Sequence, residues 1–175
     1  MKHRVVDSPV GEYVIVVDEG DAVTGIYHRG QDGLPLDVGE RGDAGAETAA
    51  HQLEQYFAGT RHAFDFPMNP QGTDFQQAVW RAIAAIPPGH LRTYGEIAAE
   101  LGSSARAVGG ATGRNPISIA IPCHRVVSTG GAITGYAGGL EVKEWLLRHE
   151  GYRITPARGT EPAARAARVT PAGQS

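Results

Sequence analysis

The chain has 175 residues, 41% of them apolar and 20% charged, with a formal net charge of −3. One cysteine rules out an internal disulfide and a cysteine-rich zinc site. No run approaches the ~20 apolar residues of a membrane span, and Met1-Lys-His-Arg-Val-Val-Asp7 lacks the apolar centre of a signal peptide, so a reducing cytoplasm is the expected setting.

In chain order, Arg4 to Asp18 reads as two strands around a Ser8-Pro-Val-Gly11 turn, and Asp21 to His28 as a third strand. Gly30 to Gly45 is rich in Gly and Asp and reads as loop. In 46–58, Ala49, Leu53, Tyr56 and Phe57 fall near one helical face, with Gly59 as the stop. This α+β unit, residues 1–65, carries no motif that points to chemistry. Its 5 Lys and Arg against 12 Asp and Glu through Gly72 would repel a polyanion, whereas residues 73–150 carry 7 against 6 and permit one. Residues 66–72, Phe-Pro-Met-Asn-Pro-Gln-Gly, read as a linker.

A second unit, 73–151, follows. Thr73 or Asp74 can cap a helix in which Phe75, Val79, Ile83 and Ile86 share a face, ended by Pro87-Pro-Gly89. Thr93 with Glu96 forms a capping box for Tyr94 to Leu101, and Gly102 stops that helix. Ser103 or Ser104 caps the next, from Ala105 to near Arg114, so the pair reads as a helix-turn-helix. Gly109, Gly110 and Gly113 weaken that second helix by about 1 kcal/mol each relative to alanine. They fit a backbone that something approaches closely, either a DNA groove or a neighbouring helix. Leu140 to Glu150 reads as a helix with Val142, Leu146 and Leu147 inward and Trp145 partly so. Residues 152–175 hold few large apolar groups and are expected to be disordered.

The only cysteine, Cys123, lies in Ile121-Pro-Cys-His-Arg-Val126. A lone cysteine is either a small core residue or a nucleophile. In an apolar site it is inert, whereas nearby His or Arg charge favours the reactive thiolate. Adjacent residues on a strand point to opposite faces. A Cys123–His124 contact therefore needs an irregular backbone or a bridging water, and Pro122 and Asn115-Pro116 favour such breaks.

Ile121 to Val126 resembles the active-site motif of the methylated-DNA–protein-cysteine methyltransferases, the O6-alkylguanine-DNA alkyltransferases. The likeness extends over Gly72 to Trp80, Ile86 to Ala98, Ala105 to Ala111, Asn115-Pro116 and Gly135 to Leu147, and ends at Glu150. It implies a small ribonuclease H-like first domain and a mainly helical, winged-helix-like second domain. It implies an irreversible, single-turnover transfer of the alkyl group from O6-alkylguanine, and from O4-alkylthymine, in DNA to Cys123, with no cofactor and no metal. His124 is then the general base acting through a water, Glu150 orients it, and Asn115 holds the active-site turn. Tyr94 presses on the 3′ phosphate and gives a proton to the leaving guanine, while Arg106 fills the space of the extruded base in the minor groove. Thr93, Ala107 and Gly109 join the DNA face, and Tyr136, Ala137, Val126 and Lys143 join the pocket. Ala137 stands where many relatives have serine.

Each role has a plainer counterpart. Arg106 could be a solvated charge, Tyr94 a packed aromatic, Asn115 a turn residue and Lys143 an exposed helix lysine. The implied partner is double-stranded DNA met by a monomer, with clustering along DNA left open. A lesion-binding module without chemistry and a cysteine hydrolase are the rival classes. Cys123 argues against the first, and an adjacent Cys-His pair is poor geometry for the second.

Overall fold

The computed structural model describes residues 1–35, 37–157 and 164–168. It is a mixed α+β fold. Strands β1 (Lys2–Val6), β2 (Tyr13–Val17), β3 (Val23–His28) and β4 (Glu40–Arg41) form a sheet in the order β3-β2-β1-β4. The two long pairings are antiparallel, Val6 facing Tyr13 and Tyr13 facing His28, as expected of strands joined by tight turns. Every residue of β2 is buried. Helix α1 (Glu47–Phe57) buries Ala49, Ala50, Leu53 and Tyr56, the face expected from their spacing. Among the described residues, the 30–45 stretch is loop apart from β4, whose two residues pair in parallel with the start of β1.

Residues 66–72 follow the edge of the sheet. Val23 N–H donates to the Pro67 carbonyl (2.8 Å), Asn69 N–H donates to the Val23 carbonyl (2.8 Å), and Phe66 is buried. Helix α2 (Asp74–Ala84) begins at a capping box closed by Thr73 and Gln76. It turns Val79, Trp80, Ala82 and Ile83 inward, while Phe75, expected on that face, is exposed. Short β5 (Arg92–Thr93) leads into α3 (Tyr94–Leu101), capped by Thr93 and Glu96 and closed by Gly102 in the left-handed region (φ 66°). Ser104 caps α4 (Ala105–Gly113), and the Trp80 indole N–H donates to the Ala111 carbonyl (2.9 Å), tying α2 to α4.

Strand β6 (Val126–Val127) pairs in parallel with β5, fixing the Cys123 segment against the start of α3. Helix α5 (Leu140–His149) turns Val142, Lys143, Leu146 and Leu147 inward. One apolar core runs from Tyr13, Ile15 and Ile26 of the sheet through Leu53 and Val79 to Ile97, Val108 and Leu146.

The expected disorder of 152–175 needs correction. Strands β7 (Tyr152–Thr155) and β8 (Arg165–Arg168) form an antiparallel pair. Tyr152, Ile154 and Ala166 pack on Ile133 and Leu147 in a small second core. Alternation with few large side chains is enough when the strand has a ready apolar surface to cover. Strand β8 also reaches the 128–135 segment, where Ile133 N–H donates to the Ala164 carbonyl (2.7 Å) and Ala132 bridges to Arg165. The rest of that expectation, residues 158–163 and 169–175, lies outside the described residues. Among the described residues, no helix is long and apolar enough to cross a membrane.

Candidate active site

The break around Pro122 is an inverse γ-turn. Pro122 has φ −79° and ψ 65°, and Cys123 N–H donates back to the Ile121 carbonyl (2.7 Å). Cys123–Arg125 then makes one 3-10 turn. At three residues per turn, consecutive side chains leave it roughly 120° apart. Cys123, His124 and Arg125 can therefore serve three directions, which a strand does not allow.

Upstream, Asn115 braces the turn. Its Oδ1 accepts from Ile117 N–H (3.0 Å), and its Nδ2 donates to the Ile121 carbonyl (2.8 Å). The braced loop holds Ile119 at φ 72°, a left-handed conformation that a β-branched residue rarely adopts and that costs of order 1–3 kcal/mol. The edge of β3 holds it as well: Ile26 N–H donates to the Pro116 carbonyl (2.8 Å), and Ser118 N–H donates to the Ile26 carbonyl (3.1 Å).

Behind the turn, a buried charge cluster centres on Glu150 at the end of α5. His124 Nε2 meets one carboxylate oxygen, Oε2, and Arg125 Nε donates to the other, Oε1 (2.6 Å). The Tyr56 hydroxyl of α1 donates to Oε2 (2.5 Å), and Arg125 also donates to the Ile86 carbonyl (2.8 Å). Burial pushes the Glu150 carboxyl up, but the His124 and Arg125 partners more than offset this and hold it well below the ordinary carboxylate range. The second imidazole nitrogen of His124, Nδ1, is buried without a hydrogen-bond partner.

Cys123 lies on the wall of a cavity of about 340 Å³, with Tyr94 of α3, Gly109, Thr112 and Gly113 of α4, Asn115 and Ser118 of the turn, and Gly135, Tyr136 and Ala137. Asp32 of the first loop also lines it. Burial pushes the thiol up from its ordinary value, while Asn115, Lys143 and Tyr136 pull it back. Burial thus favours the neutral thiol, against the pull of those three neighbours.

Lys143 is fully buried rather than exposed on its helix. Its ammonium donates to the carbonyls of Val126 (2.7 Å) and Thr134 (3.1 Å), and lies 5.9 Å from the centre of the Tyr94 ring. Burial pushes it down to about 8, against the opposite pull of Cys123. The Tyr94 hydroxyl donates to the same Thr134 carbonyl (3.2 Å), and burial raises its pKa.

Of the residues expected at the site, Cys123, Asn115, Tyr94, Gly109, Tyr136 and Ala137 meet at the cavity, with His124 and Glu150 directly behind. Val126 is not among the residues lining the cavity: its side chain is buried, and its carbonyl accepts from Lys143. Arg106 and Ala107 are exposed on α4, and the Thr93 hydroxyl is occupied as the cap of α3. Among the described residues, and apart from their own helix backbone and chain neighbours, Gly110 and Gly113 have no atom within 4 Å of where a Cβ would stand, and Gly109 only the Tyr94 ring at 4.0 Å. A neighbouring helix is therefore not what these glycines accommodate.

Sequence reasoning missed the structural parts of Arg125 and Tyr56. Arg125 lies inside the motif and could have been suspected of pairing with a carboxylate. Nothing in a single sequence links residue 56 to residue 150. Among the described residues, no group of three or more His, Cys, Asp or Glu could hold a metal ion.

Residues 74–152 match the family model described as the DNA-binding domain of 6-O-methylguanine DNA methyltransferase. The methylated-DNA–protein-cysteine methyltransferase of Methanosarcina acetivorans is 42% identical over 154 residues, 86% of this chain and 99% of that protein. The protein of the same name from Mycobacterium bovis is 44% identical over 151 residues, 85% of this chain and 91% of its own length. The crystal structure of Mycobacterium tuberculosis OGT in complex with DNA superposes with a TM-score of 0.76 at 41% identity, covering 86% of this chain and 92% of that one. With a cysteine on the cavity wall, a His–Glu pair behind it and relatives of this identity over nearly their whole length, the chain belongs to the methylated-DNA–protein-cysteine methyltransferase family.

Proposed function

We propose that Cys123 receives, once and irreversibly, the alkyl group of O6-alkylguanine, and of O4-alkylthymine, in double-stranded DNA, which makes the protein a direct-reversal repair enzyme. The observation that carries this reading is the one thiol of the chain on the wall of a cavity, backed by the buried His124–Glu150 pair. The sulfur attacks the alkyl carbon. A carbon–sulfur bond forms, the carbon–O6 bond breaks, and its electron pair leaves with the guanine. The thiol proton passes through a water to His124 Nδ1, the nitrogen without a protein partner. Glu150 stabilises the imidazolium that results. The raised pKa of Tyr94 keeps its hydroxyl protonated at neutral pH, as a proton donor to the departing base requires. A thioether is not hydrolysed and no second thiol is present to resolve it, so each molecule reacts once without a cofactor.

The target atom lies inside a duplex, so the base must leave the stack, at a cost of a few kcal/mol. The exposed face of α4, with Arg106, Ala107 and the open glycines, fits a minor groove, and Arg106 would occupy the space left by the base. In this reading residues 1–65 form a ribonuclease H-like unit, 66–72 a connector, and 73–151 a winged-helix-like acceptor unit that works as a monomer in the cytoplasm. The experiment is to mix the protein with duplex DNA bearing O6-methylguanine and weigh it. A gain of one methylene on Cys123, and no more, is expected. Binding without mass gain would make it a lesion sensor, and repeated turnover a hydrolase.

A further inference from the structure

The cavity that holds Cys123 draws its wall from two regions. Tyr94, Gly109, Thr112 and Gly113 come from α3 and α4, the side proposed to meet DNA, whereas Asp32 comes from the loop after β3. Asp32 is the only lining residue with a formal charge. It is exposed, and among the described residues no ion pair or hydrogen bond occupies its carboxylate. Lys143, the cation of the site, is fully buried, donates to the carbonyls of Val126, Thr134 and Gly135, and does not line the cavity. The fold holds the Asp32 loop against this wall. At the end of β3, His28 N–H donates to Gln31 Oε1 (2.8 Å), and Gln31 N–H donates back to the His28 carbonyl (3.0 Å). Arg29 pairs with Glu12 (2.5 Å). The Cβ of His28 is 3.6 Å from the place where a Cβ on Gly138 would stand, beside Ala137 of the wall. Asp32 follows this anchored turn directly.

A charge on the wall of a cleft acts on any charge brought into it. The guanine is the same in every O6-alkylguanine lesion, and the alkyl group is the part that varies. A wall charge can therefore sort lesions only through the alkyl group. We propose that Asp32 is a specificity-determining residue of the acceptor cavity: its carboxylate disfavours anionic alkyl groups, such as carboxymethyl, and favours neutral and cationic ones. Selection of this kind works by repulsion of the wrong substrate rather than by a bond to the right one. Because the carboxylate is exposed, the effect is modest and is screened by salt.

This inference rests on Cys123 as the alkyl acceptor, and one arm of its test is independent of that reading. In the full chain, Asp32→Asn and Asp32→Lys are compared with the wild type in two reactions of the sulfur. The first is alkylation by iodoacetate and by iodoacetamide, which differ in charge and both form a carbon–sulfur bond with loss of iodide. The lone cysteine makes the label unambiguous, and the ratio of the two rates cancels any change in thiol ionisation. Asp32→Asn should raise the iodoacetate-to-iodoacetamide ratio by up to about fivefold, and Asp32→Lys should raise it further. The second reaction is mass gain from free O6-benzylguanine bearing a para-carboxylate or a para-aminomethyl group, with no phosphate present. The carboxylate-to-aminomethyl rate ratio should rise in the same order of variants. Both effects should shrink in 1 M salt, where the screening length falls to about 3 Å. A ratio unchanged by the substitutions in either reaction, or changed equally at low and high salt, would overturn the role of Asp32. If the wild type gained no mass from any benzylguanine, the acceptor reading would fail, while the iodoacetate ratio would still decide whether Asp32 governs charged entry to the sulfur.

Discussion

The N-terminal sheet and the C-terminal helical part divide the molecule's chemistry unequally. The helical part supplies the sulfur, the imidazole, the carboxylate and the open face of α4. The sheet supplies supports: β3 pairs with the turn before Cys123, Tyr56 of α1 donates to Glu150, and Phe57 packs against Trp145 at 5.7 Å. A reactive turn that holds Ile119 in a strained conformation needs a rigid neighbour. The contrast teaches that a region without a chemical motif can still set the geometry of the chemistry.

The comparison is broken most severely by Cys123→Ala. Transfer should vanish and duplex binding should remain, as read by mass spectrometry and by band shift on O6-methylguanine DNA. Glu150→Gln comes next, because it leaves His124 and Arg125 buried against a neutral amide. Unfolding in denaturant should show a loss of about 3–5 kcal/mol. The sign of the pH dependence follows from the depressed carboxyl: its stabilisation is complete above an unfolded value of about 4.3 and is lost as pH falls toward the lower folded value. Acid unfolding of the wild type should therefore be steeper than that of the variant.

Arg106→Ala sharpens the contrast on the DNA side. Repair of duplex should slow on the order of tenfold or more, about 1.4 kcal/mol, while reaction with free O6-benzylguanine stays near wild type. Equal slowing on both would remove Arg106 from base extrusion. Lys143→Met probes the buried ammonium. With a folded value of about 8 against an unfolded value near 10.4, the wild type should gain stability as pH rises between them, because the unfolded chain then binds more protons. That rise should be absent from the variant in melts across the same range. The smallest effect is expected from Gly110→Ala. It should stabilise the free protein by up to about 1 kcal/mol and weaken duplex binding, since only an outside partner meets that position.

The first three strands, the helix caps at Thr73 and Thr93, and the acceptor motif were legible because each is written in neighbouring residues. Cys123, His124, Asn115 and Glu150 were singled out by the resemblance to the family, not by pattern alone. The support from Tyr56 and Arg125 was not legible, because it depends on side chains brought together across distant parts of the chain. Spacing alone left Lys143 as readily an exposed helix lysine as the pocket residue that the resemblance implied, and the packed fold shows three carbonyls, those of Val126, Thr134 and Gly135, around its ammonium. Strand β8 was missed for a different reason. A strand of Arg and Ala has no apolar signal of its own and is stabilised by the surface it covers.

That strand ties the 128–135 segment to β7 through the Ala164–Ile133 hydrogen bond, and Thr134 in the same segment carries the carbonyl shared by Tyr94 and Lys143. Lifting β8 would loosen both at once. Amide exchange should therefore reveal the far strand and one flank of the reactive chamber opening as a single cooperative unit, ahead of global melting.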